Sequence, residues 1–355
     1  MTQPNLDDAL AKLYGLPLPT IELIKLRGDA STRSYFRVRV AEAGLRSPQS
    51  VIAMQLPEDA FHSDEGGKPA DSKRLPFLEI AELLDSKGLP VPSIYVEDLT
   101  NGIILLEDLG DVTFEQNLRG TPRADWHGLY GQAVDLLAEL HERCATLPES
   151  SIISRRHFDR ELIDWELDHF REWGLEAPFG ALDAAQSETL RRAFSRIGSA
   201  IEDMPQGFVH RDYQSKNLMV GPDGQLTLID FQDALRGPRV YDLVALLCDS
   251  YVSLDLGLQE SMIDRYAALR RIEQTELRRE FWLVSLHRKL KDAGRFIFID
   301  RVRNNPDFLQ WYPRSLLYVG RALEQSPGFE GLGRLLGEAI PGFPDGVAKP
   351  ASALE

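Results

Sequence analysis

Cysteine is scarce in this chain: Cys144 and Cys248 are the only two among 355 residues. They lie far apart and lack metal-ligand spacing, which excludes a disulfide framework or a structural zinc site as the organising device and suits a reducing compartment. Long apolar runs are also missing. No stretch approaches the ~20 residues needed to span a bilayer, and residues 1–8 have neither the basic start nor the apolar run of a signal peptide. The expectation is a cytoplasmic protein with no membrane partner. Basic residues are outnumbered, 40 Lys and Arg against 55 Asp and Glu, for a net charge of −15. That argues against a nucleic-acid partner, because neutralising phosphates needs a concentrated cationic surface, but it allows a local cationic pocket. No internal repeat, low-complexity tract or Walker A sequence is present.

What is present is an ordinary globular composition, with 43% hydrophobic and 27% charged residues. The length suits two domains or one domain built as two lobes, and composition leaves the oligomeric state open. Residues 20–27, 34–40 and 51–56 read as strands, Phe36, Val38 and Val40 alternating in the second. A helical stripe at 75–84, ended near Gly88 and Pro90, is followed by strands at 94–96 and 103–106. Residues 1–110 are therefore expected to form an N-terminal lobe, an antiparallel sheet plus a helix. Residues 111–355 are expected to form a mostly helical C-terminal lobe, with amphipathic stretches near 124–146, 157–174, 183–203, 256–271, 274–299 and 307–324. The Pro/Gly-rich tail after Gly337 is expected to pack loosely. The fold class is α+β.

Two short strands, at 207–209 and 226–229, interrupt the helices, and each delivers a polar cluster. The first is His210-Arg211-Asp212-Tyr213-Gln214-Ser215-Lys216-Asn217, which matches the kinase catalytic loop H-R-D-x-x-x-x-N. The second, Asp230-Phe231-Gln232, begins thirteen residues after Asn217. Phosphoryl transfer to a hydroxyl needs a base beside the acceptor and hard oxygen ligands for magnesium on the nucleotide phosphates. Asp212 suits the base, Asn217 and Asp230 suit the Mg2+ ligands, and His210 suits a brace for the loop. Any one of these residues could be an ordinary turn former. Their joint spacing is hard to reach by coincidence.

The segment 208–251 resembles the aminoglycoside phosphotransferase family, which has the two-lobed protein-kinase-like fold. Asp230-Phe231-Gln232-Asp233-Ala234 and Gly237-Pro238-Arg239-Val240-Tyr241-Asp242-Leu243 are more specific. They are similar to the bacterial anomeric kinases that phosphorylate N-acetylmuramate and N-acetylglucosamine in cell-wall recycling. A weaker likeness takes in Gly28-Asp29-Ala30-Ser31, Leu286-His287-Arg288-Lys289-Leu290-Lys291 and Tyr312-Pro313-Arg314. The resemblance implies transfer of the γ-phosphoryl group of ATP to a hydroxyl of a small-molecule sugar. It gives Asp212, Asn217 and Asp230 the same roles as above and makes the backbone of Glu107 to Leu109 the adenine-binding hinge.

The loop from Gly28 to Ser34, with Gly28, Ser31 and Arg33, would approach the nucleotide phosphates, although it has one glycine where protein kinases have three. The third strand lacks the lysine that kinases place there; Arg33 or Arg37 is expected to replace its charge, and Glu79, on the inserted helix, stands where that lysine's carboxylate partner would sit. No A-P-E element follows, which favours a small acceptor over a peptide. Asp233 and Asp242 could contact a sugar or assist the metal site, or Asp242 could serve a helix start. Trp165, Glu166, His169 and Trp173 recur at helical spacing, as either a sugar wall or a core stripe. Arg288, Lys291 and Arg295 form a basic stripe that could meet a sugar carboxylate or face solvent. Two other readings stay open: an aminoglycoside or small-alcohol kinase of choline or homoserine type, and an inactive kinase-like binding protein.

Overall fold

The computed structural model describes residues 3–26, 33–41, 48–57 and 74–352. Two compact units emerge: Met1–Val112 with Met219–Gln232, and Thr113–Leu218 with Asp233–Glu355. Five strands, β1 (Ile21–Lys25), β2 (Ser34–Val40), β3 (Ser50–Gln55), β4 (Ile94–Asp98) and β5 (Ile103–Glu107), form one sheet in the order β1-β2-β3-β5-β4. Every neighbouring pair in it is antiparallel. Four short strands follow, β6 (Gln206–Val209), β7 (Leu218–Val220), β8 (Leu226–Leu228) and β9 (Leu235–Pro238), with β6 paired to β9 and β7 to β8.

In the first unit, strand alternation places Phe36, Val38, Val51, Ala53, Ile103 and Leu105 on one face of the sheet. Helix α1 (Gln3–Tyr14) covers that face, and its Leu6, Ala9 and Leu10 join the same core. This helix was not expected, although Leu6, Leu10 and Leu13 carry the spacing for it. The same alternation turns Tyr35 and Arg37 to the opposite face. Helix α2 (Pro76–Ser86) starts at a proline, whose fixed φ suits a first turn, and buries Phe77, Leu78, Ile80, Ala81 and Leu84.

The segment 219–232 belongs to this unit for identifiable reasons. Val220 N–H donates to Val112 O and Leu228 N–H to Pro90 O, each at 2.8 Å, while the Phe231 ring stacks on Phe77 at 5.2 Å between centroids. The expected lobe boundary at residue 110 thus falls at Val112, and the N-terminal lobe is not one continuous stretch.

The second unit holds α3 (Phe114–Gly120), α4 (Trp126–Arg143), α5 (Arg160–His169), α6 (Ala184–Glu202), α7 (Tyr241–Leu247), α8 (Leu256–Arg270), α9 (Gln274–Arg303), α10 (Tyr312–Gln325) and α11 (Glu330–Ala339). The 30-residue α9 is its spine, buried along most of its length and including His287, Arg288, Lys289 and Lys291. It packs against a π-helical turn, Phe170–Glu176, that continues α5. Gly294 makes that approach possible: a Cβ there would stand 2.8 Å from Phe170 Cα and 2.9 Å from His169 O. The tail is docked rather than loose. Ile340 is fully buried, Pro344 lies against Gly320, and Ser352 Oγ donates to Asp300 Oδ1 at 2.6 Å. Among the described residues no helix is long and apolar enough to cross a membrane.

Candidate active site

In the second unit, β6 feeds directly into the loop 210–217, and the loop is held from several sides. Asp242, fully buried in the first turn of α7, accepts from His210 N–H at 2.6 Å and from Arg211 N–H at 3.0 Å. His141 Nε2 lies 3.2 Å from the same carboxylate, and His141 Nδ1 meets the Tyr266 hydroxyl at 2.6 Å. Downstream, Ser215 donates both its N–H and its hydroxyl to Asp249 Oδ2. Burial, partly offset by those bonds, pushes the Asp249 carboxyl above its usual range. Tyr213 OH donates to Ala133 O at 2.8 Å, and its ring meets the buried His210 edge-on.

At the centre of the loop Arg211 adopts φ +79°, a left-handed conformation. For a side-chain-bearing residue this costs roughly 1–3 kcal/mol and persists only where the surroundings over-determine it. Here they do: besides Asp242 on its N–H, its carbonyl accepts from Arg288 Nη1 at 2.8 Å, and its guanidinium donates to Glu166 Oε1 at 3.1 Å. The next residue, Asp212, keeps 19% of its side chain exposed. Its Oδ1 accepts from Gln214 Nε2 at 3.1 Å and lies 3.5 Å from Arg288 Nη2. Asn217 Nδ2 donates to Asp212 O at 3.0 Å, which ties the far end of the motif to its centre.

Glu166 has no exposed surface. Its Oε1 serves Arg211 and stands 3.7 Å from Lys291 Nζ, while Oε2 is 3.6 Å from His287 Nε2. Glu166, Lys291 and Asp242, named above as candidate sugar contacts, are thus buried among internal partners, Asp242 in the first turn of α7. Burial cost explains this: a buried carboxylate or ammonium is tolerable only when paired. His169 is 8% exposed and stacked on Trp165 at 5.3 Å, with Phe298 at 5.1 Å and Trp173 beyond. Trp165 is 40% exposed and Arg295 lies over Phe298, so this stripe is half core and half surface. Asp233 is half-buried just before β9.

In the first unit Asp230 follows β8 with φ +67°, again left-handed, and accepts from Gln232 Nε2 at 2.7 Å. Tyr35 on β2 lies near it: the Tyr35 hydroxyl, pushed up by burial, is hydrogen-bonded to Arg33 and feels the Asp230 charge. Sequence reasoning missed Tyr35, whose signal was only its alternation with Phe36. Arg37 is placed elsewhere. It pairs with Asp108 through Nε (2.7 Å) and Nη2 (2.9 Å), with Asp111 through Nη1 (2.7 Å) and with Gly110 O through Nη2 (3.1 Å). The guanidinium thus pairs with residues 108–111. Leu109 lies inside this fastened stretch, and Glu107 N–H donates to Ser93 O at 2.9 Å. Gly28 and Ser31 lie outside the described residues.

Sheet, helical unit and braced H-R-D-x-x-x-x-N loop together define a phosphotransferase with the protein-kinase-like fold. The chain belongs to the phosphotransferase enzyme family, whose model matches residues 22–282. Among curated relatives, the N-acetylmuramate/N-acetylglucosamine kinase of Pseudomonas aeruginosa is 32% identical over 349 residues, covering 93% of this chain and 94% of that one. The protein of the same name from Caulobacter vibrioides is 27% identical, covering 83% and 85%. Among solved structures, a gentamicin complex of APH(2")-IIa aligns with TM-score 0.59 at 14% identity, covering 95% of this chain and 97% of that one. Choline kinase LicA from Streptococcus pneumoniae aligns with TM-score 0.57 at 14% identity, covering 91% and 98%.

Proposed function

We propose that this protein transfers the γ-phosphoryl group of ATP to the anomeric hydroxyl of N-acetylmuramate or N-acetylglucosamine, in the cytoplasm. The observation that carries this reading is the similarity of nearly the whole chain to relatives bearing that kinase name. The braced loop supplies the chemistry. Asp212 is the base and His210 the loop brace. As the sugar oxygen attacks the γ-phosphorus, Asp212 accepts its proton, the bond to the bridging oxygen breaks, and ADP leaves. An anomeric hydroxyl is more acidic than an ordinary alcohol, so much of the contribution of Asp212 is orientation.

The donor set fits magnesium. Asn217 and Asp230 offer an amide and a carboxylate oxygen, and no group of three or more His, Cys, Asp and Glu that could hold a metal occurs among the described residues. An ion held by one or two protein oxygens plus nucleotide phosphates needs no such cage. When bound it would neutralise charge on the phosphates. Arg33, bonded to Tyr35, is the proposed phosphate contact, with the 107–109 backbone as the adenine hinge. Trp165, His169 and Arg295 are the proposed sugar-facing residues.

Phosphorus NMR of the product formed from ATP and each sugar tests the proposal. An anomeric phosphate with its characteristic coupling is expected. Turnover only on choline or an aminoglycoside would refute it, as would ATP binding without transfer to any acceptor.

A further inference from the structure

We propose that Arg288 is the positioning residue for Asp212, fixing the peptide before it and its carboxylate together. The inference rests on the reading of Asp212 as the base. Arg288 projects from α9, which is buried along most of its length, and is itself only 2% exposed. Its Nη1 donates to Arg211 O at 2.8 Å, and its Nη2 lies 3.5 Å from Asp212 Oδ1. Its guanidinium carbon sits 4.9 Å from the centroid of the Tyr241 ring. Tyr241 is the neighbour of Asp242, which holds the N–H of Arg211 from the other side. The Arg211 residue is therefore gripped at both ends, its N–H by Asp242 and its carbonyl by Arg288.

This grip matters because Arg211 is held in the left-handed region. Released at its carbonyl, the residue would relax toward ordinary φ values, and the direction of the following side chain would change with it. A base displaced by about an ångström can lose roughly a hundredfold in rate. Arginine suits the task better than lysine. A planar fork presents two donors at fixed spacing, so one side chain serves a carbonyl and a carboxylate at once, whereas an ammonium is a point charge. The ring of Tyr241 limits the plane in which the fork can lie. The sequence expectation that Arg288 receives a sugar carboxylate gives way to this internal role.

The test is a double-mutant cycle with steady-state kinetics on the full-length protein, using Arg288→Gln, Arg288→Lys and Asp212→Asn singly and combined. Both Arg288 variants are expected to lower kcat by about a hundredfold, with KM for sugar and for ATP within about threefold of wild type. In the Asp212→Asn background the same changes are expected to add less than about threefold, because the group being positioned is already gone. A raised sugar KM with kcat preserved would overturn the proposal in favour of substrate binding. Losses that multiply in the double variants would overturn it in favour of a general structural role. If Arg288→Gln does not fold, Arg288→Lys, which keeps the buried cation, carries the same decision. Ratios are taken against wild type on the same acceptor. A wrong sugar therefore shows in the wild-type acceptor panel, and a wrong role for Arg288 shows in the ratios.

Discussion

Replacing Glu166 by Gln distinguishes a brace from a sugar contact. The carboxylate is wholly buried, 3.1 Å from the Arg211 guanidinium and 3.7 Å from Lys291 Nζ. At an effective dielectric of about 20, two such charges attract it by roughly 4–5 kcal/mol each before desolvation is counted. His287, the third neighbour, adds no compensating charge, because burial, against the pull of Glu166, holds its ring below the usual histidine range. Most of the gross attraction offsets the cost of burying the ions, so the pair is weak evidence of net stability. Breaking it is different: two buried cations would lose this counter-charge, and such losses run at about 3–5 kcal/mol. For a unit of this size that corresponds to a fall in melting temperature of roughly 6–20 °C, at about 2–4 °C per kcal/mol. The assay is thermal unfolding by circular dichroism, with sugar KM measured at a temperature where the variant is folded. An unchanged melting temperature together with a sugar KM raised more than about tenfold would refute the argument and return Glu166 to the acceptor.

Three further outcomes follow from the same coordinates. Gly294→Ala would drive a methyl group into the backbone of His169 and Phe170, and unfolding in denaturant should show a loss of about 1–3 kcal/mol or more. The Asp108 carboxyl, which burial alone would raise, is held below its usual range by bonds from Arg37, Ser50 and Gly110 N–H. A depressed acid contributes stability that is fully present above its unfolded value, near pH 4, and is lost as pH falls through the folded value. Urea melts across the acid range should therefore be steeper in pH for wild type than for Asp108→Asn, and identical slopes would count against the pair. Chelation of divalent cations should abolish phosphoryl transfer and added magnesium restore it, as read by ADP release.

How far the sequence reached depended on whether a residue's partner was close along the chain. Strands β2, β3 and β5 and the long helices of the second unit were legible because burial on one face leaves a period in the local sequence. The loop 210–217 was legible because its chemistry demands fixed offsets. Its supports were not: Glu166, Asp242, Asp249 and Arg288 act across 31 to 77 residues of separation. No local pattern distinguishes a buried carboxylate that braces a loop from one that meets a ligand. The return of residues 219–232 to the first unit was hidden for the same reason, since it depends on bonds to Pro90 and Val112 and on the Phe77 ring. Arg37 shows the limit most clearly, because its position on β2 was right while its partners, Asp108 and Asp111, lie more than 70 residues away.

That reassignment sharpens the question of which cation replaces the lysine absent from β3. Four of the five N–H donors of Arg37 go to residues 108–111. Arg33 bonds the hydroxyl of Tyr35, which also feels the charge of Asp230, the residue proposed for magnesium. If Arg33 supplies one charged hydrogen bond to the nucleotide, Arg33→Ala should lose about 1.5–3 kcal/mol of ATP binding, or roughly 10- to 150-fold in affinity. Arg37→Ala should have the opposite profile, with a lowered melting temperature and ATP affinity changed only as far as the 108–111 stretch loosens. Calorimetric titration of each variant with ATP and magnesium, paired with its melting curve, separates the two. Normal ATP affinity in Arg33→Ala together with a large loss in a thermally intact Arg37→Ala would reverse the assignment, because a residue whose role is to fasten 108–111 cannot be removed without cost to the fold.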